Sequence, residues 1–253
     1  MPIKTPVIKT DRFRKIISLV NSGQRVSLTE LERQLGASRI TIQRDLVELE
    51  SRSLLRRFHG GAMSLEYSEE LYDPNVKKTV NVSAKKRIAA KAAELIKEGF
   101  YIGLDSSSTV YYLSETLFAG QVLVLACGID SYKNLSSRGD IELVLAGGRL
   151  NKKTNTLSGY ETTATIRRFQ FDLVFLSADS FAGNRGFFVA HPHEIEVKRA
   201  LMESSKQTIM LMDSSKICAA NGTKVCDIGE IDYLITDNPN RADLKKIFRD
   251  KLL

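Results

Sequence analysis

From residue 100 onward one texture recurs, and it limits the fold of this chain more than any other feature. Short apolar runs at 101–104, 122–126, 141–146, 173–177, 208–212 and 233–236 are separated by polar or glycine-bearing loops and by stretches with helical spacing. Those helical stretches lie near 109–117, 130–136, 162–169, 194–204 and 243–248. A strand that is apolar throughout must be buried on both faces, so the alternation predicts a mostly parallel sheet covered by helices on both sides. A ligand of such a sheet is expected at the carboxyl ends of its strands.

The first 62 residues have a different character. They hold 12 Lys and Arg against 6 Asp and Glu, whereas residues 63–253 hold 25 against 24. The basic surplus therefore sits in the N-terminal quarter, which points to an anionic partner there. Asp11 is placed to cap a helix carrying Phe13, Ile16, Ile17 and Val20, and Asn21-Ser22-Gly23 ends it. Val26 starts a short extended piece, and Ser27 or Thr29 caps a second helix with Leu28, Leu31 and Leu35. Gly36-Ala37-Ser38 forms a tight turn, after which Ser38 caps a third helix to about Ser51, its core face made by Ile42, Leu46 and Leu49. Two helices across a glycine-containing turn have the helix-turn-helix spacing. Residues 54–58, bounded by Gly60-Gly61, read as a small wing, residues 63–82 as a linker, and residues 83–97 as a long helix stopped by Gly99.

The face of the third helix opposite its core residues carries Arg39, Ile40, Gln43 and Val47, with Thr41 and Arg44 on its flanks. In a major groove, glutamine pairs bidentately with adenine, arginine with guanine, and an aliphatic side chain covers a thymine methyl. Arg12, Arg14, Lys15, Arg56 and Arg57 are expected on phosphates, where they set register without reading sequence. Asp45 is expected to hold Arg44 or another nearby basic side chain.

The run RVSLTELERQLGASRITIQRDLVELESRSLLRRFHGGA (25–62) resembles the winged helix-turn-helix of the DeoR family of bacterial transcriptional repressors. The specific part is Ser38-x-x-Thr41-Ile42-x-Arg44-Asp45-Leu46, followed by Leu54-x-Arg56-x-x-His59-Gly60-Gly61-Ala62. The resemblance continues through GLDSSST (103–109), LAGGRL (145–150), FDLVFLSAD (171–179), EVKRA (196–200) and DSSK (213–216). It implies a C-terminal sugar-phosphate-sensing domain similar in fold to ribose-5-phosphate isomerase. The expected fold class is thus an N-terminal winged helix-turn-helix (1–62) joined by the linker to an α/β effector-sensing and oligomerisation domain (83–253). Gln43 stands where the family usually has arginine, which implies a different operator preference.

Asp105, Ser106, Ser107, Ser108 and Thr109 lie between a strand and a helix, where hydroxyls, unpaired N–H groups and the helix dipole together favour an anion. Gly147 and Gly148 would let a ligand approach the backbone. Lys216 can supply a point charge to a phosphate, and Asp213 can accept from sugar hydroxyls. Glu194 and Lys198, one turn apart, form an intrahelical pair on spacing alone. The resemblance places Lys198 at the pocket mouth and adds Arg149, Asp179 and Glu194 to the effector set. Several positions depart from the family pattern. Ser106 replaces a common glycine, Asp179 lies between Ala178 and Ser180 rather than glycines, and Cys127-Gly128 replaces a common Thr-Asn pair. His191 and His193 lack an acid or cysteine at metal-ligand spacing, so no metal and no cofactor are expected.

Three cysteines (Cys127, Cys218, Cys226) without a CxxC motif suit a reducing compartment. The first ten residues lack the apolar run of a signal peptide, and the longest apolar run, 122–127, is far too short to span a bilayer. A cytoplasmic protein without membrane association is expected. A nucleoid protein would not need a whole α/β domain of near-zero net charge. A sugar-phosphate isomerase would need a general base, and the glycine-rich, glutamate-bearing segment that supplies it in the isomerases is not found. The reading is a repressor that binds double-stranded operator DNA, responds to a phosphorylated sugar or similar anionic sugar, and works as a homo-dimer or tetramer, since one winged head covers too little DNA.

Overall fold

The computed structural model of the chain describes residues 9–23, 25–52, 54–58, 60–65, 74–117, 120–152, 154–217 and 222–253. His59 and Cys218, both singled out above, lie outside the described residues. The chain divides into two units, Met1–Asp73 and Pro74–Leu253.

The first unit contains α1 (Lys9–Gly23), β1 (Arg25–Ser27), α2 (Leu28–Leu35), α3 (Arg39–Ser51), β2 (Arg56–Phe58) and β3 (Gly61–Met63). Its core gathers Phe13, Ile16 and Val20 of α1, Leu28, Leu31 and Leu35 of α2, and Ile42, Leu46 and Leu49 of α3. Ser27 caps α2 by accepting from the Glu30 N–H at 3.2 Å. Gly36 ends α2 in the left-handed region (φ 62°) and turns the chain into α3. The strands form an antiparallel sheet in the order β1-β3-β2, a wing over the helices. Gly61 allows it to close: a Cβ there would lie 2.1 Å from the Val26 carbonyl oxygen and 2.6 Å from the Phe58 ring.

The second unit opens with α4 (Pro74–Thr79) and α5 (Val82–Ala93). The stretch expected as linker is therefore structured at both ends, by β3 to Met63 and by α4, and the helix expected over 83–97 stops at Ala93. A regular alternation follows: β4 (Tyr101–Leu104), α6 (Ser108–Thr116), β5 (Val122–Ala126), α7 (Ile129–Leu135) and β6 (Ile141–Leu145). Next come the hairpin β7 (Arg149–Asn151) and β8 (Thr156–Ser158), then α8 (Tyr160–Ile166) and β9 (Phe171–Leu176). The rest comprises β10 (Ser180–Phe181), β11 (Phe187–Val189), α9 (His193–Glu203), β12 (Ser205–Leu211), β13 (Thr223–Cys226), β14 (Tyr233–Ile235) and α10 (Ala242–Phe248).

The six apolar runs form one fully parallel sheet in the order β14-β12-β9-β4-β5-β6. Its residues alternate between two cores. Leu173 and Phe175 pack with Ile102, Val124 and Ile209 on one face, and Val174 and Leu176 with Leu125 and Met210 on the other. Gly103 lets α9 approach the sheet, because a Cβ there would lie 2.8 Å from both Leu201 and Val174. The chain builds outward from β4 to β6, then returns to lay β9 on the other side of β4. The gap between the carboxyl ends of β4 and β9 is thus the topological switch point. Two small features escape the periodicity of the sequence, the β7–β8 hairpin and the antiparallel β10-β11-β13 sheet. An isolated parallel bridge joins Leu234 and Leu252.

Candidate functional site

In the first unit α3 leaves a coherent face open. Ser38 caps the helix, accepting from the Thr41 N–H and bonding the Thr41 hydroxyl at 2.9 Å. Arg39, Ile40, Gln43, Arg44 and Val47 are exposed, and Thr41 is half-buried. Ile40 is 63% and Val47 50% exposed, a cost for a helix that faces only water. Arg56 and Arg57 are exposed on β2. Arg57 is engaged with Glu50, through its Nε at 2.7 Å and its backbone N–H at 2.9 Å. Arg12 corrects the expectation of a phosphate contact. Its side chain is 14% exposed and grips Asp45, which is itself buried on α3. Asp45 is structural as expected, but the partner is Arg12 of α1 and not Arg44.

In the second unit the switch point is filled by ionised side chains. Asp105, directly after β4, is 1% exposed. Its carboxylate accepts from the Ser107 N–H at 2.8 Å, the Ser177 N–H at 2.8 Å and the Lys198 ammonium at 2.5 Å. Lys198 also donates to the Ser177 carbonyl at 2.9 Å and stands 3.8 Å from Glu194. Lys198 is therefore buried and committed to Asp105, not placed at a pocket mouth. Burial alone would lower the pKa of Lys198, but the charges of Asp105 and Glu194 outweigh it and raise the pKa. Burial raises the Glu194 pKa, and the nearby Asp179 and Asp105 charges add to the rise.

The serine loop divides its roles. Ser107 caps α6 by accepting from the Val110 N–H, and Ser106 bonds Thr156 of β8 at 2.6 Å. Ser106 also explains Gly128, whose Cβ would lie 2.8 Å from the Ser106 Cα. Ser108 and Thr109 are buried in the first turn of α6, and the Thr109 hydroxyl has no hydrogen-bond partner among the described residues. Hydroxyls and N–H groups at a helix N-terminus favour an anion's oxygens.

Beside this loop lies a second set of charges. Asp179 receives Lys77 at 2.7 Å and the Ala190 N–H at 2.8 Å. Burial would raise its pKa, but Lys77 and Lys216 hold it far below the usual carboxylate range. Lys216 donates to the Ala178 carbonyl at 3.0 Å, and burial lowers its pKa. Asp213 caps the turn before Lys216 and accepts from Asn81 at 3.0 Å. Lys85, 2% exposed, donates to the carbonyls of Lys77 and Val80, and burial, reinforced by Lys216, lowers its pKa to about 8.

Other expected site residues are structural here. A Cβ on Gly148 (φ 95°) would lie 2.2 Å from the Thr162 hydroxyl, and that hydroxyl bonds the Gly147 carbonyl at 2.7 Å. Gly148 thus seats α8, whereas a Cβ on Gly147 would meet nothing within 4 Å. Arg149 is exposed on β7, in register with Ser158, without an ion pair to the carboxylates of the cluster. His193 joins Asn151 and Thr154 at 3.0 Å each, tying the hairpin turn to α9, and burial lowers its pKa. Cys127 is fully buried, and burial pushes its thiol pKa upward.

Lys77, Asn81, Lys85 and Ser177 were missed by sequence reasoning. The signal was present, since residues 74–93 contain six basic residues (Lys77, Lys78, Lys85, Lys86, Arg87 and Lys91) and no acid. Replacing Lys198 by methionine should strand the buried Asp105 charge and cost about 3–5 kcal/mol. The double variant Lys198→Met with Asp105→Asn should recover most of that loss in denaturant unfolding. A single-variant loss under about 1 kcal/mol would show that the pair does not hold this region together.

The comparisons with known proteins agree with the two-part organisation. Residues 12–68 match the DeoR-like helix-turn-helix domain, and residues 80–238 match the DeoR C terminal sensor domain. The chain is 32% identical to the HTH-type transcriptional regulator GolR of Listeria innocua over 95% of both chains. It is 29% identical to the lactose phosphotransferase system repressor of Streptococcus mutans, covering 94% of this chain and 96% of that one. A ribose 5-phosphate isomerase of Methanocaldococcus jannaschii is similar over 54% of this chain and 55% of that chain, at 18% identity and a TM-score of 0.39, too distant to bear on function. The matched head and sensor domains, and full-length similarity to regulators, establish that this chain belongs to the DeoR family of transcriptional regulators.

Proposed function

We propose that the protein represses a carbohydrate-use operon, binding double-stranded operator DNA as a homo-dimer or tetramer and letting go when a phosphorylated sugar, or a similar anionic sugar, binds its sensor domain. The observation that carries the DNA half is the open face of α3, where exposed Ile40 and Val47 flank Gln43. Ser38, Arg39, Thr41 and Arg44 border that face, and Arg56 and Arg57 supply phosphate contacts from the wing. Arg57 would exchange Glu50 for a phosphate.

The effector half rests on the carboxyl ends of β4 and β9. The Ser108 and Thr109 hydroxyls at the start of α6 and the Lys216 ammonium suit a dianion, and Asp213, Asp179 and Glu194 offer acceptors to sugar hydroxyls. Asp105, Ser106, Ser107 and Lys198 hold the loop in shape from behind. The name of the Streptococcus relative, a lactose phosphotransferase system repressor, supports this reading.

Gln43→Ala is expected to weaken binding to the cognate operator by ~1–3 kcal/mol and to relax preference at one base pair. Arg56→Ala should weaken all sequences alike and reduce the salt slope by about one. Equal losses for Gln43→Ala on operator and random DNA, in titrations at several salt concentrations, would remove α3 from sequence reading.

Lys216→Ala and Ser108→Ala should bind operator normally yet fail to release it at effector concentrations that release the wild type. A screen of phosphorylated sugars by thermal shift supplies the effector, since 100 times its dissociation constant adds ~2.7 kcal/mol. Normal release by both variants would place the effector elsewhere.

A second reading, sugar-phosphate isomerase, draws its support from Glu194, a buried carboxyl of raised pKa beside a sugar-type site. Incubation with ribose 5-phosphate and hexose phosphates is expected to give no aldose–ketose exchange. Exchange that disappears in Glu194→Gln would favour the enzyme.

A further inference from the structure

The six-stranded sheet has two edges, and the chain treats them differently. At one edge β14 is covered: Leu252 bridges Leu234, and the Leu253 N–H donates to the Leu234 carbonyl at 2.9 Å. At the other edge lies β6 (Ile141–Leu145), which pairs with β5 alone. The bonds at its two ends fix which of its backbone groups face β5. The Asp140 carbonyl accepts from the Gln121 N–H at 2.7 Å, and the Ala146 N–H donates to the Ala126 carbonyl at 3.0 Å, so the even-numbered positions turn toward β5. Successive residues of a strand present their backbone groups to opposite sides, so those of Ile141, Leu143 and Leu145 point away from the sheet. Among the described residues no hydrogen bond reaches them.

An open edge is a template for further strands, and folded proteins guard one with lysine, proline, a bulge or a very short strand. β6 has none of these guards. Its register with β5 runs unbroken over five residues, it contains no proline, and Glu142 is its one charge. Leu143, Val144 and Leu145 are only half-buried. Leu143 packs against the core on one face of the sheet and Val144 against the core on the other. Both cores therefore run out to this edge and end there with apolar side chains showing.

We propose that β6 is an assembly surface whose partner is β6 of a second copy of this chain, paired antiparallel about a two-fold axis at Leu143. A second copy is the occupant because the strand complements itself. With the axis at Leu143, that residue exchanges both its backbone bonds with Leu143 of the partner subunit, and Ile141 does so with Leu145 of the partner subunit. The two sheets become one, and the cores on both faces continue across the junction. Antiparallel pairing also sets the acidic end of one strand, Asp140 and Glu142, beside the end of the other that leads into the exposed Arg149. The proposal rests on the reading that the protein works as a homo-dimer or tetramer, and it names the surface. A two-fold axis is also what a helix-turn-helix dimer needs to meet two half-sites.

Sedimentation velocity of the full-length protein over a range of concentrations tests this. Leu143→Pro removes an outward N–H and leaves every bond to β5 in place, a change that edge strands accept. Leu143→Lys sets two ammonium groups together at the axis. Each variant should raise the dissociation constant of the assembly at least about tenfold, because each loss occurs twice across a two-fold axis. Leu143→Ile keeps the backbone and the apolar volume and should assemble as the wild type does. Residue-resolved hydrogen exchange reads the edge directly. The Leu143 and Leu145 amides should be protected in the assembled wild type and unprotected in Leu143→Lys, while the Val144 amide, bonded to β5, stays protected in both. Thermal melts verify folding, and Leu143→Lys with the wild-type exchange carries the test if Leu143→Pro melts early. Assembly unaltered in both folded variants, or a Leu143 amide that exchanges freely in the assembled wild type, overturns the β6 pairing and leaves the homo-oligomer standing on another surface. A wild type that is monomeric at every concentration overturns both.

Discussion

The sensor unit depends on the buried ion pair between Asp105 and Lys198. Removing two charges from water is expensive, and such a pair survives only where further hydrogen bonds satisfy what the two charges leave over. Here the Ser107 and Ser177 N–H groups complete Asp105, and the Ser177 carbonyl serves Lys198. The pair thereby joins three elements that the chain order keeps far apart: the loop after β4, the end of β9 and the helix α9. It sits where the strand order reverses, so it closes the crevice from below and fixes the start of α6 at the edge of that crevice. Glu194, one turn from Lys198, stands 3.8 Å from the ammonium, and burial raises its pKa despite that charge.

The head uses the same device on a smaller scale. Arg12 and Asp45 clamp α1 to α3 from inside, while Ile42, Leu46 and Leu49 supply the apolar contact. With those residues taken inward, the remaining positions of α3 form a face of two exposed aliphatic side chains around a glutamine and two arginines. The burial that stabilises the helix and the exposure that suits it to a groove follow from one helical periodicity.

The distribution of charge separates the two tasks. The basic surplus lies in the head, where a polyanion would be met, and the sensor unit is close to neutral because its lysines are matched by carboxylates inside the site. The docking of α4 relies on such pairs, Lys77 with Asp179 and Lys78 with Asp130.

The local sequence determined the elements and their order. Six apolar runs became six parallel strands, Ser27, Ser38 and Ser107 became helix caps, and Gly36 took the left-handed turn between α2 and α3. Apolar periodicity, capping and glycine conformation act over a few residues and can be read from the chain directly. Tertiary structure alone decided which charged residues face ligand and which face one another. Arg12 has the composition of a phosphate contact and is an internal clamp; Lys198 has that of a pocket residue and is sealed on Asp105, 93 positions away; Gly148 seats α8. Lys77 and Lys85, in or beside a stretch that reads as linker, instead bond Asp179 and the backbone carbonyls of Lys77 and Val80. A lysine or an aspartate carries the same local signal whether it meets water, a ligand or a buried partner. The choice among them depends on desolvation and on partners brought together by the fold, and neither is written in the neighbouring residues.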